Sequence, residues 1–152
     1  MASNVQALCT SFKGELLQGI HNLGVGVVRA STAADTLKAA LYYVGSSLGA
    51  ATTVYSATGE VSGTGYTSSG ATVTNATAPT TSGTTGYWTP SANIQWTGLT
   101  ISSSFDASLV YNGTQGNRAI GVLTFPAQTI AAGTFTITVP SNTATSALIQ
   151  LN

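Results

Sequence analysis

Residues 61–105 and residues 119–152 contain no Asp, Glu, Lys or Arg, and both stretches are filled with Thr, Ser and Gly. Long runs of hydroxyl and β-branched side chains favour pleated, half-buried backbone over helix. They also leave few ions to keep the surface apart from other protein. Charged residues make up 5% of the chain, and four basic residues offset four acidic ones, whereas soluble domains carry roughly 25%. Near-neutral surfaces favour association. The pattern points to a β-rich chain that works in contact with other protein, inside an assembly.

The 152 residues suffice for one domain with its own core, and the 43% hydrophobic content is that of a packed interior rather than a disordered tract. Met1-Ala2-Ser3-Asn4 lacks a basic segment leading into an apolar run, and no stretch of about 20 apolar residues occurs. Neither export nor membrane insertion is expected. Cys9 is the sole cysteine and cannot form an internal disulfide.

Two kinds of pattern divide the chain into an N-terminal helical arm, residues 1–28, and a β-domain, residues 29–152. In the arm, Val5, Leu8, Phe12, Leu16 and Ile20 recur at spacings of three and four, which places them on one stripe of an amphipathic helix entered after Ser3. Gly14 and Gly19 each cost up to about 1 kcal/mol in a helix interior, so docking rather than propensity has to hold it. His21-Asn22-Leu23-Gly24 reads as its stop, with Gly24 in the left-handed position after the last turn.

Thereafter short segments rich in Thr, Val, Tyr and Ile are punctuated by Gly, Asn or Pro. The spacing predicts strands at residues 37–44, 52–55, 71–74, 84–88, 94–100, 107–111, 119–125 and 134–139, with a further one near 147–151. Such spacing belongs to an antiparallel β-sandwich, jelly-roll-like in type. Phe135, Ile137 and Val139 alternate with Thr134, Thr136 and Thr138, giving one apolar and one hydroxyl face. Residues 112–117 should close a hairpin, and the glycine-rich residues 59–70 form an irregular loop anchored by Val61 and Tyr66.

Material for catalysis is sparse. His21 and Cys9 lie near the same helix but twelve positions apart, so they project in different directions, and a helix-end histidine with a buried thiol is the simpler reading. Gly63-Thr64-Gly65 lacks the lysine and following helix of a phosphate loop. Asp35, Glu60 and Asp106 are too far apart in sequence to pair by local geometry. Lys13, Arg29, Lys38 and Arg118 are scattered, unlike a nucleic-acid-binding face. Arg118 and Asp106 flank the hairpin and could pin its register as an ion pair. Tyr87, Trp88 and Trp96 could offer flat rings to a glycan, although such residues serve cores and interfaces more often. No catalytic, cofactor-binding or metal-binding residue is assigned, and no enzyme is expected.

The succession Asp35-Thr36-Leu37-Lys38-Ala39-Ala40-Leu41-Tyr42, then Thr52-Thr53-Val54-Tyr55, Gly59-Glu60-Val61-Ser62-Gly63-Thr64-Gly65-Tyr66, Leu109-Val110-Tyr111-Asn112 and Asn117-Arg118-Ala119 resembles a family of small virion structural proteins of tailed bacteriophages. The resemblance covers residues 35–139. It implies a structural component of the particle, without cofactor, nucleic acid or membrane: a capsid cement or decoration protein on the shell surface that bridges major capsid protein subunits and neighbouring copies of itself. The alternatives are a tail, neck or fibre-associated protein and a host-glycan-binding module. The expected contact residues are Leu8, Phe12, Leu16 and Ile20 of the helical stripe, with the loops around Tyr66 and Trp88.

Overall fold

The computed structural model of the protein describes residues 3–17, 19–24 and 33–151. Among the described residues the fold is mainly β, with two antiparallel sheets and one short helix. Strand β1 (Ala7–Leu8) precedes helix α1 (Thr10–Leu17), and the remaining strands are β2 (Leu37–Tyr43), β3 (Ala71–Val73), β4 (Thr80–Ser82), β5 (Thr85–Trp88), β6 (Ile94–Asn112), β7 (Arg118–Ile137) and β8 (Ile149–Leu151). The larger sheet runs β1-β7-β6-β2-β3 and the smaller β4-β5-β8.

A single long hairpin, β6–β7, is the backbone of the larger sheet. The sequence divides it into four shorter strands, residues 94–100, 107–111, 119–125 and 134–139, with Gly98 inside the first and Pro126 and Gly133 in the gap between the last two. Each of these three residues is absorbed where the register slips, at four places between Trp96 and Ala107. Bulges of this kind insert residues without ending a strand. The turn falls where the pattern places it: Asn112 and Arg118 are the last pair, and Gly116 and Asn117 take left-handed backbone at φ 64° and 58°. Residues 52–55 form no regular strand; they run beside the start of β7 through the Val54 to Arg118 bridge and the bond from Ala119 N–H to Thr53 O.

The core lies chiefly along β2, β6 and the first half of β7. Leu37, Leu41, Leu99, Ile101, Phe105 and Leu109 are all fully buried, each contributing about 1.5–3 kcal/mol relative to exposure. Phe105 and Phe135 meet edge to face at 5.2 Å, which joins the two halves of the hairpin.

The N-terminal segment departs from the expected arm. Ala7 and Leu8 pair with Val122 and Gly121 of β7, so the helical spacing that includes Leu8 is interrupted by a strand. The helix spans eight residues and ends earlier than expected. Gly19, at φ 66°, donates to Leu16 O while Ile20 N–H reaches Glu15 O, the bond pair of a Schellman cap. Gly19, read as a liability inside the helix, terminates it. Cys9, Phe12 and Leu23 belong to the same core cluster as the β-strands, so this segment is an integral part of the domain. The proposed boundary between residues 28 and 29 lies outside the described residues.

Candidate functional site

Three of the chain's eight charged residues, Glu15, Asp35 and Arg118, meet with His21 in one largely buried network. Glu15 leaves α1 facing inward, and its Oε2 accepts from His21 Nε2 at 2.7 Å while its Oε1 accepts from Arg118 Nη1 at 2.6 Å. On the other side of the imidazole, Asn112 Nδ2 stands 2.9 Å from His21 Nδ1 and 2.7 Å from Asp35 Oδ2. Asp35 also accepts from Asn22 N–H at 2.8 Å and from Gln115 Nε2 at 3.2 Å. Helix, post-helix segment, the approach to β2 and the hairpin turn are thereby tied at one point. Glu15, His21, Asn22, Asp35 and Asn112 are all buried.

The hydrogen-bond pattern fixes the imidazole tautomer. Asn112 Oδ1 accepts from the N–H groups of Thr114 and Gln115, both at 3.1 Å, so its amide nitrogen must face His21 and Asp35. An amide nitrogen only donates. His21 Nδ1 is therefore an acceptor and Nε2 carries the proton given to Glu15. Burial alone would raise the Glu15 carboxyl, but the bonds from His21 and Arg118, with the Arg118 charge, outweigh it and hold the group below its ordinary value. Both ring nitrogens are spent on protein partners, so the arrangement braces the fold and leaves no lone pair directed at a substrate.

A second hub fastens the glycine-rich loop. Glu60 accepts from Tyr55 Oη at 2.6 Å, Tyr66 Oη at 2.8 Å, Ser68 Oγ at 3.0 Å and Ser69 N–H at 2.8 Å. Tyr66 Oη in turn accepts from Leu41 N–H of β2 at 3.0 Å. Burial pushes the Tyr66 phenol well above its ordinary range, reinforced by the adjacent Glu60 carboxylate. Val61 is buried, so both expected anchors of residues 59–70 hold the loop. Tyr55 and Tyr111 stack at 4.7 Å beside them.

Several expected site residues are brought together differently. Arg118 pairs with Glu15 and not with Asp106, which accepts from Asn4 Nδ2 at 2.6 Å; Asp106 lies six positions before the hairpin's last pair, too far along β6 to reach across it. Phe12 is fully buried and Trp88 nearly so, which removes both from any outer contact surface. Leu8, Leu16 and Tyr66 are half-buried against the core, and Ile20 is half-buried. Of the expected stripe only Phe12 is wholly internal, and Val5 at its start is exposed. Trp88 donates through Nε1 to Thr77 O at 2.9 Å and Trp96 packs on Phe135; with both buried, only half-buried Tyr87 of the three aromatics presents appreciable area for a glycan. Cys9 is buried and its thiol is pushed up to about 11 by burial and by Glu15.

Surface features missed in the sequence lie beside β7. Among the described residues β7 is paired on one side by β6 throughout, but on its other side β1 covers only Gly121 and Val122. Beyond Thr124 that edge borders an open groove of about 610 Å³, lined by Leu123, Phe125, Phe135, Ile137, Val139 and Leu148 among others. A second groove of about 320 Å³ lies where Leu16 and Leu23 face Tyr87, Trp88, Ile149 and Leu151 of the smaller sheet. The absence of charge from residues 119–152 was the readable signal, because open edges usually carry Lys or Glu. No group of His, Cys, Asp and Glu among the described residues is arranged to hold a metal ion, and no helix among them is long and apolar enough to cross a membrane. Comparison with protein-family models, with curated proteins and with solved structures finds no match for this chain.

Proposed function

We propose that this chain is a structural protein of a tailed-bacteriophage virion, a capsid cement or decoration protein that bridges major capsid protein subunits at the shell surface. The observation that carries the reading is the uncharged, hydroxyl-bearing exterior of the β6–β7 hairpin, where Thr97, Thr100, Ser102, Thr129, Thr134 and Thr136 are exposed. Covering such a surface is inexpensive. Taking an ion out of water costs several kcal/mol, whereas a hydroxyl that exchanges water for a protein partner contributes about 0.5–1.5 kcal/mol. A surface of this kind suits repeated contacts of ordinary size, about 1,600 Å² each. The sequence resemblance over residues 35–139 points the same way, and the role needs no chemistry.

The contacts fall on the hairpin exterior in this reading, since Phe12 and Trp88 are committed to the core. The test is the abundance of this chain relative to the major capsid protein in purified virions, by quantitative mass spectrometry. Near-stoichiometric abundance supports a shell position. A few copies per particle would move the chain to the tail, neck or fibres, and absence from the particle would end the virion reading.

A further inference from the structure

From the open edge of β7 we infer that residues 134–138 pair antiparallel with the same residues of a second copy of this chain, across a two-fold axis at Thr136. The first support is backbone direction. Val139 N–H faces the β6 side, donating to Asn93 Oδ1 at 3.0 Å, and Ile137 and Phe135 lie opposite Ile94 and Trp96 in register. Alternate residues of a strand turn their N–H and C=O to the same side. Thr134, Thr136 and Thr138 therefore direct theirs outward, toward the edge that no strand among the described residues covers. Unpaired donors and acceptors in a row are a template for another strand.

The second support is self-complementarity, which identifies the occupant. With the axis at Thr136, Thr134 meets Thr138, Phe135 meets Ile137, and Thr136 meets its own copy. Residues directly opposite in an antiparallel pair share a face, so hydroxyls meet hydroxyls on one face, and Phe135 and Ile137 meet on the other, beside a groove that they line in part with Phe125, Val139 and Leu148. Moving the axis half a residue would set Thr against Ile or Phe. No charge lies anywhere in residues 119–152, so nothing repels the copies. The chain's own N-terminus does not compete beyond this edge's beginning: Val5 N–H turns aside to Leu48 O, and Asn4 is held by Asp106. Upstream, Pro126 and the register slip between Phe105 and Ala107 confine regular pairing to the end of β7. The result is an isologous contact that makes one continuous sheet of two copies.

The inference is independent of the virion reading, because it concerns the purified chain alone. Sedimentation equilibrium of the full chain over a concentration series reaching the high-micromolar range should show a monomer–dimer equilibrium. Thr136→Lys places two ammonium groups opposite each other at the axis and should raise the dissociation constant at least about tenfold, with little change in the unfolding midpoint at concentrations where the wild type is monomeric, because Thr136 and its bond from Gln95 are both exposed. Thr136→Cys should give a disulfide-linked dimer under mild oxidation, since paired Cα atoms about 5.5 Å apart suit a disulfide and Cys9 is buried. A chain that stays monomeric throughout and fails to cross-link through residue 136 overturns the inference. So does a dimer that Thr136→Lys leaves intact.

Discussion

The Asn112 amide nitrogen and His21 Nδ1 meet 2.9 Å apart across 91 positions of sequence. One buried side chain thereby orients an imidazole, binds Asp35 and caps the hairpin turn. Replacing Asn112 with Ala removes a donor from His21 and Asp35 and an acceptor from Thr114 and Gln115. Buried groups left unpaired cost about 1–3 kcal/mol each, and some of these can reach water, so a net loss of about 2–4 kcal/mol in urea unfolding is expected. Nitrogen chemical shifts of the native protein should report the Nε2–H form of His21. An Nδ1–H form, or a loss below 1 kcal/mol, would contradict this bonding scheme.

None of that network was legible in advance, for a physical reason. Glu15, His21, Asp35, Asn112 and Arg118 lie on five segments whose meeting depends on how β1 and β2 dock against the hairpin, and one-dimensional spacing does not encode docking. What depends on local pattern was legible. The residues 37–44 segment forms β2 (Leu37–Tyr43), and the Asn112-Gly113 turn closes the hairpin. The intermediate cases show where pattern runs out. Leu8 fits a helical stripe and a strand equally well, and pairing with β7 decided between them. Strand β4 is exposed at all three positions, so it has no apolar alternation to announce it.

Glu15 should make the fold acid-sensitive. A carboxyl held below its ordinary value in the folded state gives stability that is fully present above the unfolded value, near 4.5, and is lost as pH falls through the folded one. Wild-type chain and Glu15→Gln should therefore differ most at neutral pH, by about 1–3 kcal/mol, a discount on a fully buried pair because the Arg118 side chain is 46% exposed. The difference should shrink as pH is lowered below about 4.5. Urea midpoints at pH 7 and pH 3 measure it; a gap that widens in acid would reverse the assigned sign.

The Cys9 thiol should be inert while the protein is folded. Only a thiolate is nucleophilic, and a thiol raised to about 11 and buried supplies almost none at pH 8. Iodoacetamide should label Cys9 slowly in buffer and rapidly in urea, with the native rate following global unfolding. Rapid labelling in buffer would mean that the segment pairing with β7 opens on its own.

Two glycines with the same backbone handedness should respond differently to a methyl group. Gly70 and Gly116 both hold left-handed backbone, at φ 71° and 64°, a conformation that costs an L-residue about 1–2 kcal/mol. Around Gly116 a Cβ would meet nothing within 4 Å, whereas at Gly70 it would lie 1.9 Å from Ala39 O on β2. Gly70 is also where the Glu60 loop returns to the sheet, one residue after Ser69 N–H binds that carboxylate and one before β3 begins. Strand β3 pairs with β2 through Ala71 to Ala39, so the clash cannot be relieved without unpairing the edge of the larger sheet. Gly116→Ala should cost about 1–2 kcal/mol, the backbone conformation alone. Gly70→Ala should cost about 3 kcal/mol or more, by adding backbone displacement to it. Chemical denaturation of the two variants side by side separates close approach from backbone handedness; equal losses would show that β3 yields at little cost and that the loop, not the sheet, fixes Gly70.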